Sequence, residues 1–255
     1  MQIKMLALDL DGTLLRSDKT LSEKTLRTLR LCRERHILLA LATSRSEKSC
    51  GTYLAQVSPD YAILNGGALA KERGREIYRS QLEPETADRI LRELLQSPYF
   101  DSLSLETASG YYVERRATSA WHYTNAKSRD FSEPLSEPAF KITAELRNPV
   151  VAEEIASRHP ACTLVKFAGT NLFRFVHRNA GKIHAIRRIA ELNHMRLSEV
   201  AAFGDDYIDI EMIRNCGCGV AMENAVPEVK RVADAVCGTN DRDGVADWLE
   251  KFILN

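Results

Sequence analysis

Apolar positions follow two rhythms along this chain. In the first seventy or so residues, short unbroken apolar runs alternate with segments whose apolar residues recur every three or four positions. Ile3 to Leu8 is a nearly continuous run and predicts a strand buried on both faces. Ser22 stands where a helix N-cap belongs, and Leu26, Leu29 and Cys32 then share one face until about Arg35. HILLALATSR predicts a second buried strand ending at Thr43, and Ser46 to Gln56 a second helix. DYAILNGG predicts a third strand, stopped by Asn65-Gly66-Gly67. The same rhythm returns after Ala180. A helix is predicted from Gly181 to Asn193, a strand in EVAAFGDD and a short helix from Ile208 to Arg214. A strand in GCGVAM, a helix from Pro227 to Ala233 opened by its proline, a short strand in DAVC and a closing helix from Asp243 to Phe252 follow.

Between these halves the pattern changes. A helix is predicted from Glu85 to Gln96, then strands in SLSLET and GYYVER separated by Ala108-Ser109-Gly110. A proline-containing stretch, FSEPLSEPAFKITAE, precedes a helix from Val150 to Arg158 and two strand candidates, CTLVKFAG and NLFRFVH. Side-chain alternation at hairpin spacing predicts an antiparallel sheet with helices on one face. The fold class is therefore α/β. A Rossmann-like parallel-sheet core is built from residues 1–81 and 181–255, with an α+β domain inserted at 82–180.

Composition narrows the function more than the fold. A length of 255 residues allows one large or two smaller domains. Lys+Arg and Asp+Glu both number 35, and this balance argues against a nucleic-acid binder, which would carry a basic excess. The pairs Arg115-Arg116 and Arg187-Arg188 read as solvated surface. Six cysteines are spread without the density of a disulfide framework. Cys216-Gly-Cys218 is too tightly spaced for a zinc knuckle, so these two read as buried small residues. The first thirty or so residues lack a signal-peptide pattern, and the apolar run Ile37 to Ala42 is far short of the roughly 20 residues a membrane span needs. The expectation is a cytoplasmic protein with no membrane partner.

Asp9 and Asp11 in MLALDLDGTLL raise the chemical question, because a carboxylate among leucines is costly unless something holds it. Ligands of open α/β sheets sit at the carboxyl ends of the strands. There the first strand delivers Asp9-Leu10-Asp11-Gly12-Thr13, the second Thr43-Ser44-Arg45, and the strand after the insert Gly204-Asp205-Asp206 with Asp209 one turn on. Gly181-Lys182 opens the preceding helix. Taken singly, these are a turn dipeptide, a cap, a surface lysine and an acidic helix start. Jointly they place four carboxylates (Asp9, Asp11, Asp205 and Asp209), the Thr43 hydroxyl and a lysine on one rim. Such an acid cluster suits Mg²⁺, and the lysine and threonine beside it suit a phosphoryl group. Residues i and i+2 of an extended chain face one side, roughly 6.5–7 Å apart. Asp9 and Asp11 would then flank a phosphorus, and aspartate is a phosphoryl-accepting nucleophile.

DLDGTLL, LATSR, Lys182 and FGDDYIDIEM resemble, in order, the four motifs of the haloacid-dehalogenase-like hydrolase superfamily. The long insert and AMENAVPEVKRVAD resemble its Cof-type phosphatases with a large α/β cap, so the resemblance covers essentially the whole chain. It implies a Mg²⁺-dependent phosphatase acting on a small phosphorylated metabolite, a sugar phosphate or phosphorylated cofactor, through an aspartyl-phosphate. Asp9 would be the nucleophile, and Asp11 the general acid and then the base. Mg²⁺ would be held by the Asp9 carboxylate, the Asp11 carbonyl and the Asp205 carboxylate. Leu10, Thr43, Ser44 and Lys182 would bind phosphoryl oxygens. Asp209 would support metal-bound water or orient Lys182, Asn224 would support the metal-side loop, and Arg45 and Asn65 would lie near the cap seam.

Two departures stand out: Ile208 where the family usually has asparagine, and Ser44 where it usually has glycine. Losing one charge-assisted contact at Ile208 would cost roughly 1.5–3 kcal/mol of phosphate binding. The cap would select the substrate by closing over the site. Its segment with Arg115, Arg116, Trp121, His122 and Tyr123 reads either as a stacking or anion-recognising surface or as ordinary packing. A sugar phosphomutase and a non-catalytic binding protein remain the alternatives, as a monomer or small homo-oligomer.

Overall fold

The computed structural model describes residues 3–114, 126–167 and 169–255. Arg115, Arg116, Trp121, His122 and Tyr123 lie outside them. Contacts divide the chain into two compact units, Met1–Arg79 with Gly181–Asn255, and Ser80–Ala180.

The first unit begins with β1 (Met5–Asp9), α1 (Glu23–Glu34), β2 (Leu38–Ala42), α2 (Glu47–Val57) and β3 (Tyr61–Leu64). β4 (Leu69–Glu72) and β5 (Arg75–Arg79) follow. The second unit contains α3 (Pro84–Gln96), β6 (Phe100–Thr107), β7 (Tyr111–Glu114) and β8 (Lys127–Arg129). It continues with β9 (Ala139–Leu146), α4 (Pro149–Arg158), β10 (Cys162–Lys166) and β11 (Leu172–His177). The first unit resumes with α5 (Lys182–Leu192), β12 (Val200–Gly204), α6 (Ile210–Asn215) and β13 (Cys218–Ala221). It closes with α7 (Pro227–Val232), β14 (Ala235–Val236) and α8 (Gly244–Phe252).

The first unit's sheet runs β14-β13-β12-β1-β2-β3-β4-β5. It is parallel from β14 to β3 and antiparallel beyond. β1 lies in the interior, with Leu8 opposite Phe203 on one side and Leu41 on the other. Every β1 residue is buried, as an unbroken apolar run on a two-sided sheet should be. Ser22 caps α1 by accepting from the Thr25 N–H at 3.0 Å. The buried stripe of α1 is Thr25, Thr28, Leu29 and Cys32, while Leu26 is half-buried. The β4–β5 hairpin extends the edge beyond the Asn65-Gly66-Gly67 stop. Its turn, Arg73 (φ 45°) and Gly74 (φ 89°), places both central residues in the left-handed region, as two-residue hairpin turns require.

In the second unit the order is β10-β11-β9-β6-β7-β8. The expectation of an antiparallel sheet needs one correction, because β7 and β8 pair in parallel. Parallel neighbours need a crossover of about a dozen residues, and the interval between Glu114 and Lys127 supplies that length. A second correction is β9, an eight-residue strand inside the proline-containing stretch, which lies between β6 and β11. One face of this sheet (Leu103, Leu105, Ile142, Phe173, Phe175) packs with Ile90, Leu91 and Leu94 of α3 and Ile155 of α4. Glu106 and Lys141, paired in register across β6 and β9, are also buried and form an ion pair at 2.9 Å.

Burial pushes Lys141 down to about 8, opposed by Glu106 and reinforced by the Arg174 charge. An unfolded lysine titrates near 10.4, so between about pH 8 and 10 the unfolded chain binds more protons and stability rises with pH. Urea unfolding across that window should show a gain on the order of 2 kcal/mol in the wild type that Lys141→Met lacks. Parallel curves for the two proteins would contradict this.

All six cysteines are free, with Cys216 buried and Cys218 half-buried. Among the described residues, no helix is long and apolar enough to cross a membrane.

Candidate active site

Four chain segments meet at the carboxyl ends of β1, β2 and β12. Asp9, the last residue of β1, is buried and stands in register with Ala42, one residue before Thr43. The extended backbone stops there, and the chain turns through Leu10 to Leu14. Gly12, at φ 78°, makes the turn possible: a Cβ on it would fall 2.2 Å from Asp205 Oδ2. Thr13 Oγ1 donates to Asp205 Oδ1 at 2.9 Å, and Asn224 Nδ2 donates to the Gly12 carbonyl at 2.8 Å. Asn224 Oδ1 in turn accepts from the Asn240 N–H at 3.0 Å. The β1 loop is thus tied to the loops after β12 and β13.

The strand ends at Asp9, so the extended geometry on which the expected Asp9–Asp11 spacing rested is not carried on to Asp11. The Asp11 carboxylate pairs instead with Arg45, whose Nε and Nη2 each donate to it at 2.7 Å, and with Lys19 Nζ at 3.0 Å. Burial would raise its pKa, but the Arg45 and Lys19 hydrogen bonds and charges together hold it below the ordinary carboxylate value.

Lys182, the first residue of α5, is 1% exposed. Its Nζ donates to Asp9 Oδ1 at 2.5 Å and to Asp209 Oδ1 at 2.7 Å. Asp209 Oδ2 accepts the backbone N–H groups of Asp205 and Asp206 at 3.0 and 3.1 Å. Asp209 thus holds both the lysine and the β12 loop. Burial disfavours the Lys182 cation, but the charges of Asp209 and Asp9 and their hydrogen bonds outweigh it and raise its pKa. Asp9 is pushed well above the ordinary range by burial, with the Asp209 and Asp205 charges adding to it and Lys182 opposing. Burial and the Asp209 charge bring Asp205 up to about 6, against the Thr13 hydrogen bond and Lys182.

Asp9, Asp205 and Asp209 each place a carboxylate oxygen within 4.8 Å of the others. One oxygen each of Asp9 and Asp205 lies outside the hydrogen bonds just described. Those hard donors, on carboxylates whose charge burial and mutual repulsion disfavour in the absence of a cation, fit an oxygen-liganded divalent cation.

Thr43 is buried, and its Oγ1 accepts from the Arg45 N–H at 3.1 Å, so its own proton remains to be donated. The Asn65 N–H donates to the Arg45 carbonyl and the Gly66 N–H to the Thr43 carbonyl, both at 2.9 Å, lacing the β2 loop to the turn after β3. Gly67, at φ 101°, abuts the start of α5: a Cβ there would fall 2.2 Å from the Gly181 carbonyl carbon. Ile208 Cδ1 lies 3.1 Å from the place of a Gly66 Cβ, so this aliphatic side chain packs over the turn beside the half-buried Ser44. The structure thus gathers Asp9, Leu10, Thr43, Ser44, Lys182, Asp205 and Asp209 around the strand ends, with Asn224 behind and Asp11 and Arg45 paired at the edge. Sequence reasoning missed Lys19 and the Thr13–Asp205 bond. No local pattern signals either, since both depend on chain folding back.

Buried carboxylates sharing one lysine at the ends of parallel strands make an α/β enzyme suited to an anionic group and a cation. Residues 6–249 match the family model described as haloacid dehalogenase-like hydrolase, and the chain belongs to that family. It is therefore a hydrolase. It is 26% identical to a 5-amino-6-(5-phospho-D-ribitylamino)uracil phosphatase of Bacillus subtilis, covering 97% of both chains. It is 28% identical to an HMP-PP phosphatase of Klebsiella pneumoniae, over 89% of this chain and 86% of that one. Its fold superposes on a haloacid dehalogenase-like hydrolase from B. subtilis with a TM-score of 0.84, at 25% identity and covering 98% and 100% of the two chains.

Proposed function

We propose that this chain is a cytoplasmic, Mg²⁺-dependent phosphatase that hydrolyses a small phosphorylated metabolite through an aspartyl-phosphate on Asp9. The observation that carries the reading is the buried Lys182 cation held between Asp9 and Asp209. A lysine so placed keeps a nucleophilic carboxylate oriented and offers positive charge to phosphoryl oxygens. The two curated relatives are both named as phosphatases of small phosphorylated compounds, which supports the substrate class.

In this mechanism an Asp9 oxygen attacks phosphorus and the bond to the leaving oxygen breaks, with Asp11 giving that oxygen its proton. Asp11, now a carboxylate, takes a proton from the water that attacks the phosphorus. The bond to Asp9 then breaks and phosphate departs, which returns Asp11 to its starting state. The Leu10 and Ser44 backbone N–H groups, the Thr43 hydroxyl and Lys182 hold the phosphoryl oxygens. Asp9, the Asp11 carbonyl and Asp205 would hold Mg²⁺, which when bound supplies positive charge against the phosphate. The inserted unit, residues 82–180, acts as the cap that selects the substrate.

Chelator-treated protein should release no phosphate from an aryl phosphate, and added Mg²⁺ should restore the release. Activity that persists in full after chelation would remove the metal from the reading. Absence of hydrolysis with Mg²⁺, across a panel of metabolite phosphates, would remove the phosphatase.

A further inference from the structure

We infer that Lys19, together with Arg45, reads a second anionic group on the substrate, a carboxylate or another phosphate near the scissile ester. The inference rests on the phosphatase reading and names its substrate class more narrowly.

The observation is a carboxylate with no lone oxygen. Asp11 Oδ1 accepts from both Lys19 Nζ and Arg45 Nη2, and Asp11 Oδ2 accepts from Arg45 Nε. Two cations therefore surround one anion at the residue that must exchange a proton with the leaving group. The three hydrogen bonds leave one acceptor position, on Oδ2, and hold the carboxylate toward the two cations, so turning it to a leaving oxygen competes with them. A substrate that brings another anion to this spot would take over the two cations and release Asp11 for that step. A substrate with no such group would have to break the pairing with nothing in exchange.

An ion pair between half-exposed side chains is ordinarily worth little and implies little. The segment carrying Lys19 is not ordinary surface. Lys19 sits at φ 64°, a left-handed conformation that a lysine adopts at a cost. Its N–H donates to the Arg16 carbonyl at 2.9 Å, and the Arg16 N–H donates to the Thr20 carbonyl at 3.0 Å. Tyr53 Oη donates to the Lys19 carbonyl at 3.0 Å, and the Tyr53 ring lies under the Arg45 guanidinium at 5.1 Å. The same turn is fastened at its base. Arg16 Nη2 donates to both Asp243 oxygens, at 3.0 and 2.8 Å, and Ser17 donates to Asp241 through its N–H at 2.8 Å and its hydroxyl at 2.7 Å. A flexible surface lysine needs none of this. The anchored turn, the strained backbone and the shared tyrosine hold both cations at one point on the edge of the site. Positive charge that is pre-positioned in this way binds an anion without first having to be ordered.

The test compares esters that differ by one anionic group: glycerol phosphate against phosphoglycerate, and fructose monophosphate against fructose bisphosphate. Wild-type enzyme should favour the two-anion member of at least one pair by about tenfold in kcat/KM, the scale of one charge-assisted hydrogen bond. The preference should weaken as salt is raised. Lys19→Gln should bring the ratio close to one, chiefly by raising KM for the two-anion ester, and Lys19→Arg should keep it. Thermal unfolding of both variants checks that the exposed substitution leaves the fold alone. A wild-type ratio near one in both pairs, or an undiminished ratio in Lys19→Gln, would overturn the inference while leaving the phosphatase reading in place. A wild type that hydrolyses none of the esters would overturn both.

Discussion

Asp9→Asn is expected to abolish phosphate release, lowering kcat by at least about a thousandfold, while the protein stays folded. The substitution removes the attacking oxygen's charge and keeps the side chain's shape. Stability should survive because Lys182 retains Asp209 at 2.7 Å, so no buried cation is stranded. Burial and two neighbouring carboxylates already disfavour the Asp9 anion, and a neutral amide relieves that repulsion. The melting temperature of metal-free Asp9→Asn should therefore match or exceed that of the wild type. Steady-state phosphate release and a thermal melt check the two halves separately. Comparable turnover in the two proteins would move the nucleophile elsewhere. Inactivity accompanied by unfolding would show only that Asp9 is structural.

The reverse combination is expected of Lys182→Met, which should cost both activity and stability. Methionine fills much of the same volume but leaves Asp9 and Asp209 facing each other with no cation between them. Breaking a buried ion pair from one side costs about 3–5 kcal/mol, which in a chain of this size lowers the melting temperature on the order of 10 °C. Mg²⁺ should raise the melting temperature of the variant more than that of the wild type, because the ion then supplies positive charge that Lys182 no longer brings to Asp9. The pH dependence has a definite sign. Without Lys182 the folded-state pKa of Asp9 rises further, so the stability deficit is smallest at acid pH and grows as pH increases through that value. A deficit that is constant across the acid range would mean that packing, rather than charge, had been lost.

The parts of this fold that were legible in the sequence depend on neighbours within a few residues. β1 and β2 announce themselves as unbroken apolar runs, and Ser22 as the cap it proves to be. The β4–β5 hairpin was not legible. Its residues Lys71 to Glu76 are almost all charged, and Arg73-Gly74 lacks the Asn-Gly or Asp-Gly pair that normally marks such a turn. β9 was hidden by the prolines before it, although Ile142, Ala144 and Leu146 alternate with Lys141, Thr143 and Glu145 as a strand should. In the site, Asp9, Thr43 and Asp205 could be gathered because strand ends in a parallel sheet lie side by side, whereas Lys182 comes from the start of a helix. Asp11 was read by a period-two rule carried past Asp9, where the strand has already ended. Its partners come from a loop and from a second strand end, and only tertiary structure brings those together.

The core unit is assembled from the two ends of the chain, and this sets an order for its synthesis. β1 is flanked by β2 on one side, but its other partner is β12, opposite Met5 only at Val200. While the ribosome is still making the chain, the second unit is complete before that partner has emerged. Domains tend to fold as units in the order they appear, so the inserted sheet closes first. Meanwhile β1 presents an apolar edge with unpaired backbone groups, the kind of edge on which chains aggregate. Asp9 likewise waits for Lys182, 173 residues downstream, before its charge is answered. Until Lys182 and Val200 have been made, the nascent chain therefore lacks the partners of both Asp9 and β1, and its exposed strand edge is open to association with other chains.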